Sequence, residues 1–206
     1  MIRKITSLAL GVAVASGISL SAAQAAPQTF TLDTPHTQIV FSVSHLGFSH
    51  SYGKFTGYSG TIVFDPEAPE TSSVEVTIDA KSVDLNDAKW NDHVRNADLL
   101  DADKFPQITF KSTKVDVTGE KTANITGDLT IRGVTKPVVL ATTLNKIDKH
   151  PMKGGIVAGF SATASFKRSD FGVSYGLPNV GDDMNIIIEV ETNPAEEAAA
   201  PAAKAE

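Results

Sequence analysis

The sequence predicts a mainly β protein, about eight antiparallel strands with one short helix, and three observations carry that expectation. Apolar and polar residues alternate at period two over several segments, turn residues separate those segments, and one stretch alone changes to helical spacing.

The first candidate strand covers residues 30–33. The second covers 36–45 and sets Ile39, Phe41, Val43 and His45 on one face, so a histidine ends an otherwise apolar row. A buried imidazole needs a partner, which raises the question of what that face encloses. Beyond a glycine-punctuated bend, residues 55–64 are expected to return alongside the second strand. Further strands are expected over 74–80, 107–118, 123–131, 136–144, 156–166 and 185–190. Ile125, Gly127, Leu129 and Ile131 oppose Thr126, Asp128 and Thr130. Ala158, Phe160, Ala162, Ala164 and Phe166 likewise oppose Gly159, Ser161, Thr163 and Ser165, a pattern suited to an antiparallel sheet with one solvated side. Turns fall at Asp65-Pro66, Thr118-Gly119-Glu120, Arg132-Gly133 and Lys153-Gly154-Gly155. Residues 86–97 break the rhythm, with Asn86 as a candidate N-cap and Trp90, Val94 and Ala97 in a helical row, followed by a loop carrying Leu99, Leu100 and Phe105-Pro106. Such a set of strands makes either a sandwich or a closed barrel; closure removes the sheet edges, and a barrel of this size can just hold one small elongated ligand.

Arg3 and Lys4 precede an apolar run through Leu20 and a small-residue site at Ala23-Gln24-Ala25, the pattern of a secretory signal peptide over residues 1–25. The run is short for a membrane span and no later segment approaches the needed length, so no transmembrane anchor is expected. The chain has no cysteine, which rules out disulfides, thiolate metal sites and a lipidated cysteine tether. Its net charge is −6, and loss of Arg3 and Lys4 with the leader makes it more negative, which argues against general nucleic-acid binding. Residues 194–206, rich in alanine with Pro194, Glu196, Glu197 and Pro201, read as a disordered tail or a short fraying helix. One domain over residues 26–193 remains.

Catalytic patterns are thin. No serine sits in Gly-x-Ser-x-Gly, no cysteine nucleophile exists and no glycine-rich phosphate loop is present. Asp92, Asp98, Asp101 and Asp103 do not reproduce a calcium-loop spacing and read as solvated positions. His36 lies nine residues before His45, on the opposite face of a regular strand, and neither His50 nor His93 stands at ligand spacing to another histidine, so a metal site would need long-range assembly and none is expected, nor is a cofactor. His45 reads as a hydrogen-bonded core group or as a ligand contact. Arg168 reads either as a head-group contact or, favoured here, as a structural partner of Asp170 or another carboxylate; Tyr175 falls on a pocket rim or a surface loop.

Four blocks stand in order: Asp33-x-x-His36-Thr37-x-Ile39-x-Phe41-x-Val43-x-His45-Leu46-Gly47 with Gly53-x-Phe55-x-Gly57; Asp92-His93-Val94-Arg95 with Asp98-Leu99-Leu100-Asp101 and residues 105–112; residues 127–137 around Ile131-Arg132-Gly133; and Phe166-Lys167-Arg168-Ser169-Asp170-Phe171-Gly172. Together they resemble the YceI-like family of lipocalin-like, polyisoprenoid-binding proteins. Val94, Leu99, Leu100 and Phe105 depart from the family's common residues and bear on pocket shape. The resemblance implies an extended antiparallel eight-stranded lipocalin-like β-barrel whose apolar interior accepts an isoprenoid quinone or polyprenyl lipid. The expected apolar lining is Phe41, Val43, Phe48, Phe55, Leu99, Leu100, Phe105, Phe110, Phe160 and Phe171, with His45, His93, Arg168 and Tyr175 toward a polar head group. The function then expected is a periplasmic lipid carrier or buffer with no chemistry of its own. Two alternatives stand beside it: a lipid-modifying or redox accessory enzyme acting through His45 or His93, and a filled barrel serving as a stress-related interaction module. A homodimer through exposed edge segments stays open.

Overall fold

The computed structural model describes residues 26–195 except 153; the expected leader over 1–25 and residues 196–206 of the expected tail lie outside the described residues. The chain runs through β1 (Gln28–Leu32), β2 (Gln38–His45), β3 (Ser49–Phe55), β4 (Tyr58–Phe64), β5 (Ser73–Asp79), β6 (Val83–Asp84), α1 (Ala88–Arg95), β7 (Gln107–Gly119), β8 (Thr122–Ile131), β9 (Val134–Lys149), β10 (Ile156–Lys167) and β11 (Asp183–Pro194). Eight of these close an antiparallel barrel in the order β1-β4-β5-β7-β8-β9-β10-β11, with β1 returning to β11 through Phe30 opposite Pro194 and Leu32 opposite Thr192. Closure leaves this ring without a free edge.

β11 has two partners in succession. Its first half pairs with β2, Ile186 opposite Phe41, and its second half pairs with β1. β1 and β2 therefore follow one another along a single neighbour, separated by a 3-10 turn at Thr34–His36. Pro35 in that turn has no N–H to give a ladder, and the backbone around it is tied instead by Asp33 N–H to Glu191 O at 2.8 Å and by the Thr37 hydroxyl to the same oxygen at 3.3 Å. The Tyr58 hydroxyl donates to Thr37 O from the other side.

The expected strand over 55–64 is divided at Thr56-Gly57. β3 pairs with β2, whereas β4 leaves β2 altogether and lies between β1 and β5. β3 reads as a bend in sequence because Ser49-His50-Ser51-Tyr52-Gly53-Lys54 has no apolar row. Its inward side must be small: the Phe41 ring of β2 lies over Gly53, where any Cβ would overlap it. β11 also runs further than expected, through Pro194, and Ala195 N–H donates to Thr29 O at 2.9 Å, so residues 194 and 195 belong to the barrel rather than to a tail.

α1 is shorter than the expected 86–97. Asp87, not Asn86, caps it by accepting from Trp90 N–H at 2.9 Å; Asn86 takes a left-handed φ of 61° and donates its N–H to Asp84. Ala97 falls past its end. Apolar packing is divided between the two ends of the barrel. Near α1, Ile108, Phe110, Leu129, Ile131, Val138, Phe171 and Val173 pack together, and the Phe110 ring occupies the space over Gly127. At the far end, Phe30, Phe64 and Ala158 pack with Phe160. There the fully buried Thr192 hydroxyl accepts from Ala158 N–H and donates to Ala158 O, each at 2.9 Å.

Candidate functional site

The inward faces of the strands do not meet. They enclose a cavity of about 650 Å³, in the range of small-molecule sites, running from α1 to the β7–β8 turn. The rows read from sequence alternation supply its walls: Ile39, Phe41 and Val43 of β2, Ile125, Leu129 and Ile131 of β8, and Phe160, Ala162, Ala164 and Phe166 of β10. Phe55 from β3, Phe110 from β7, Phe171, and Leu99 and Leu100 from the loop after α1 complete the expected apolar set that borders it.

Two expected lining residues are elsewhere. Phe48 follows the left-handed pair Leu46 and Gly47 in the β2–β3 turn, which points it outward, and it is 91% exposed. Phe105 lies outside the barrel, its ring against Gly133 and 5.1 Å from the Lys104 ammonium. Sequence reasoning in turn left out Trp90 and Val94, which project from α1 into the cavity, and the β5 row Val74, Val76 and Ile78. The helical row at Trp90 and Val94 was the available signal for the first pair; the second has ordinary strand alternation.

The polar rings gather at the α1 end. His45 stands with its ring centroid 6.0 Å from Trp90, and His93 meets Tyr175 edge-on at 5.1 Å. Asp98 holds a carboxylate oxygen 4.0 Å from His93 Nε2. Trp90 and Tyr175 are about half exposed, so these residues form a mouth rather than a sealed floor.

Arg168 borders the same end but is committed to the fold. Its Nε donates to Gly181 O at 2.8 Å, Nη1 to Val173 O and Tyr175 O at 2.9 Å each, and Nη2 to Val180 O at 3.0 Å. Four of its five N–H groups thereby thread the loop that carries Tyr175. Burial lowers the guanidinium pKa from its usual value, opposed by Asp182. Of the expected partners, Asp170 or another carboxylate, Asp182 is the charged neighbour, and it also accepts from Ser169 N–H and Oγ at 2.9 and 2.8 Å. Burial pushes the Asp182 pKa up, but the Ser169 bonds with Lys167 and Arg168 outweigh it, and the net direction is down.

His36 lies outside the cavity in the 3-10 turn, not on the strand that carries His45. Its Nδ1 is 2.9 Å from Asp33 Oδ2, and Glu191 brings a carboxylate oxygen into the same cluster, all within 4.8 Å. This long-range assembly was not legible from local histidine spacing. The close Asp33–His36 contact clasps the point where β11 changes partner. Asp92 on α1 and Asp103 after it are solvated and ion-paired, Asp92 with Arg95 at 3.5 Å and Asp103 with Lys81 at 2.6 Å. No helix among the described residues is long and apolar enough to cross a membrane.

A closed antiparallel ring around an elongated apolar cavity, with its polar rings at one mouth, defines a lipocalin-like barrel. The family model of the YceI-like domain matches residues 30–192. A UPF0312 protein of Ectopseudomonas mendocina is 41% identical over 181 residues, covering 87% of this chain and 94% of the relative. Among solved structures, Burkholderia cenocepacia BcnA superposes with a TM-score of 0.72 at 28% identity, over 79% of this chain and 99% of that one. A polyisoprenoid binding domain from Saccharophagus degradans, implicated in plant cell wall breakdown, shares the fold at a TM-score of 0.64 and 13% identity, over 81% and 99% of the two chains. The chain belongs to the YceI-like family.

Proposed function

We propose that this protein is a periplasmic carrier or buffer that holds a long-chain isoprenoid lipid in its barrel and performs no chemistry on it. The observation that carries this reading is the cavity itself: an apolar bore of about 650 Å³ whose polar rings are collected at the α1 end. A ligand suited to it is long, apolar and polar at one end only. Burying a CH₂ contributes about 0.8 kcal/mol, so a five-carbon isoprene unit contributes roughly 3 to 4 kcal/mol. Several units offset an association cost of about 4 to 15 kcal/mol without strong polar contacts. The polyisoprenoid-binding neighbour with this fold supports the same ligand class, and the amino-terminal sequence pattern supports export.

A neutral quinone head fits better than a pyrophosphate. Arg168 directs four of its N–H groups at carbonyls, and Lys121 borders the cavity only at the opposite end. Asp98 also sets a carboxylate oxygen 4.0 Å from His93 Nε2 at the mouth, a placement that disfavours an anionic head. Mass spectrometry of lipid extracted from protein purified from its native compartment tests the reading. Stoichiometric prenyl lipid is expected; repeated recovery of protein free of any lipid contradicts it.

A further inference from the structure

The bore has two ends, and only one of them is the mouth described above. On β7 the inward positions change character along the strand. Ile108 and Phe110 near α1 are 5% and 8% exposed, Val115 is half-buried, and Val117 is 49% exposed although it lines the cavity. An inward side chain that water reaches to that extent marks a wall open to solvent. The lining continues past Val117 into the exposed β7–β8 turn and, on the neighbouring β5 side of β7, to Pro66 and Pro69 of the β4–β5 connection. The opposite wall at this same end is shut, with Phe30 and Ala158 each 1% exposed and the Phe64 and Phe160 rings 5.6 Å apart. The far end is therefore plugged on the β1–β10–β11 side and open between the β4–β5 connection and the β7–β8 turn.

We infer that the cavity is a through-tunnel, and that its ligands include prenyl chains longer than the barrel, whose last units leave by the far opening beside Val117. This rests on the carrier reading and deepens it by setting the ligand's chain length. The thirteen residues of β7, at about 3.3 Å each and a tilt near 40°, rise about 33 Å along the barrel axis. An isoprene unit adds four chain bonds against three per residue, so an extended unit spans about 4.5 Å and about seven units fill the bore. In a blind pocket an eighth unit has no place except by folding back on the chain. In a through-tunnel it passes out with no loss of the contacts already made.

The test is a competition series of neutral prenyl alcohols of four to twelve units, read as displacement of a fluorescent lipid from delipidated protein. Affinity is expected to rise about tenfold or more per unit until the bore is filled, then to stay within about threefold up to the longest chain. A fall of tenfold or more beyond the filling length, with the shorter chains still bound, overturns the tunnel and leaves the carrier reading standing. Failure of every chain to bind overturns both. Val117→Trp, at a half-exposed position, narrows the far opening, and Thr142→Phe narrows it independently from β9. Each is expected to weaken chains above the filling length at least tenfold more than it weakens chains that end before the far opening. Equal weakening of long and short chains by both variants contradicts the exit.

Discussion

At the α1 end the barrel is finished by loops, and at the far end by side chains. Arg168 holds the 172–182 loop through four carbonyls, α1 lies across the opening, and His45, Trp90, His93 and Tyr175 present polar edges to the bore. The far end has none of these rings; Phe30, Phe64 and Ala158 seal one wall and the other is left open. The two ends thus divide the work. Apolar burial along the bore supplies affinity for any long chain, while the aromatic and imidazole rings able to distinguish one head from another stand near α1. Damage to the plugged wall of the far end should lower stability without changing which head group is held, and damage near α1 should change both.

The largest effect is expected from Phe30→Ala. Truncating a fully buried phenylalanine where β1 closes on β11 should lower unfolding free energy by about 3–5 kcal/mol in urea titration, with the identity of the bound lipid unchanged. A change in lipid class would break the division between the ends. Arg168→Leu should lower stability by about 3 kcal/mol, because each buried carbonyl left without a donor costs about 1–3 kcal/mol and water reaches some of the four. Here the discrimination between quinone and alcohol heads should also weaken, measured by paired competition. Retention of both stability and discrimination would show that the loop stands without its arginine. Gly127→Ala should cost about 1–3 kcal/mol by overpacking. Its Cβ meets the Phe110 ring and Lys111 O, so the ring is pushed into the bore and lipid loading by mass spectrometry should fall.

The smallest effect concerns acid. The Asp182 pKa is lower in the folded protein than in the unfolded chain, so its contribution is present above the ordinary carboxylate range and is lost as pH falls through the folded value. Melting temperature should therefore decline less steeply between pH 6 and pH 3 in Asp182→Asn than in the parent. Parallel decline in the two proteins would remove Asp182 as a fastener of the α1-end loop.

The walls were more legible in the sequence than the ends. Period-two rows such as Ile125 to Ile131 and Phe160 to Phe166 need only one strand to be read, and their apolar residues line the bore. β3 was hidden because its inward side answers to a partner: Gly53 makes sense only beneath Phe41. Phe48 was misplaced because two left-handed residues in the preceding turn reset its direction. The part played by Arg168 could not be read from neighbouring acids, since its acceptors are backbone carbonyls, which leave no mark in the residue string. The clasp of Asp33, His36 and Glu191 joins residues from opposite ends of the chain and needed the β1–β11 closure to appear.

Trp90 is the single tryptophan of the chain and lines the bore at its polar mouth, which gives the central claim a direct reporter. Delipidated protein should be titrated with an isoprenoid quinone while Trp90 fluorescence is followed, beside a variant whose bore is filled by Ala164→Phe. Saturable one-to-one quenching that is lost in the filled variant is the expected result. Quenching that never saturates, or that survives filling of the bore, would contradict a lipid held inside the barrel.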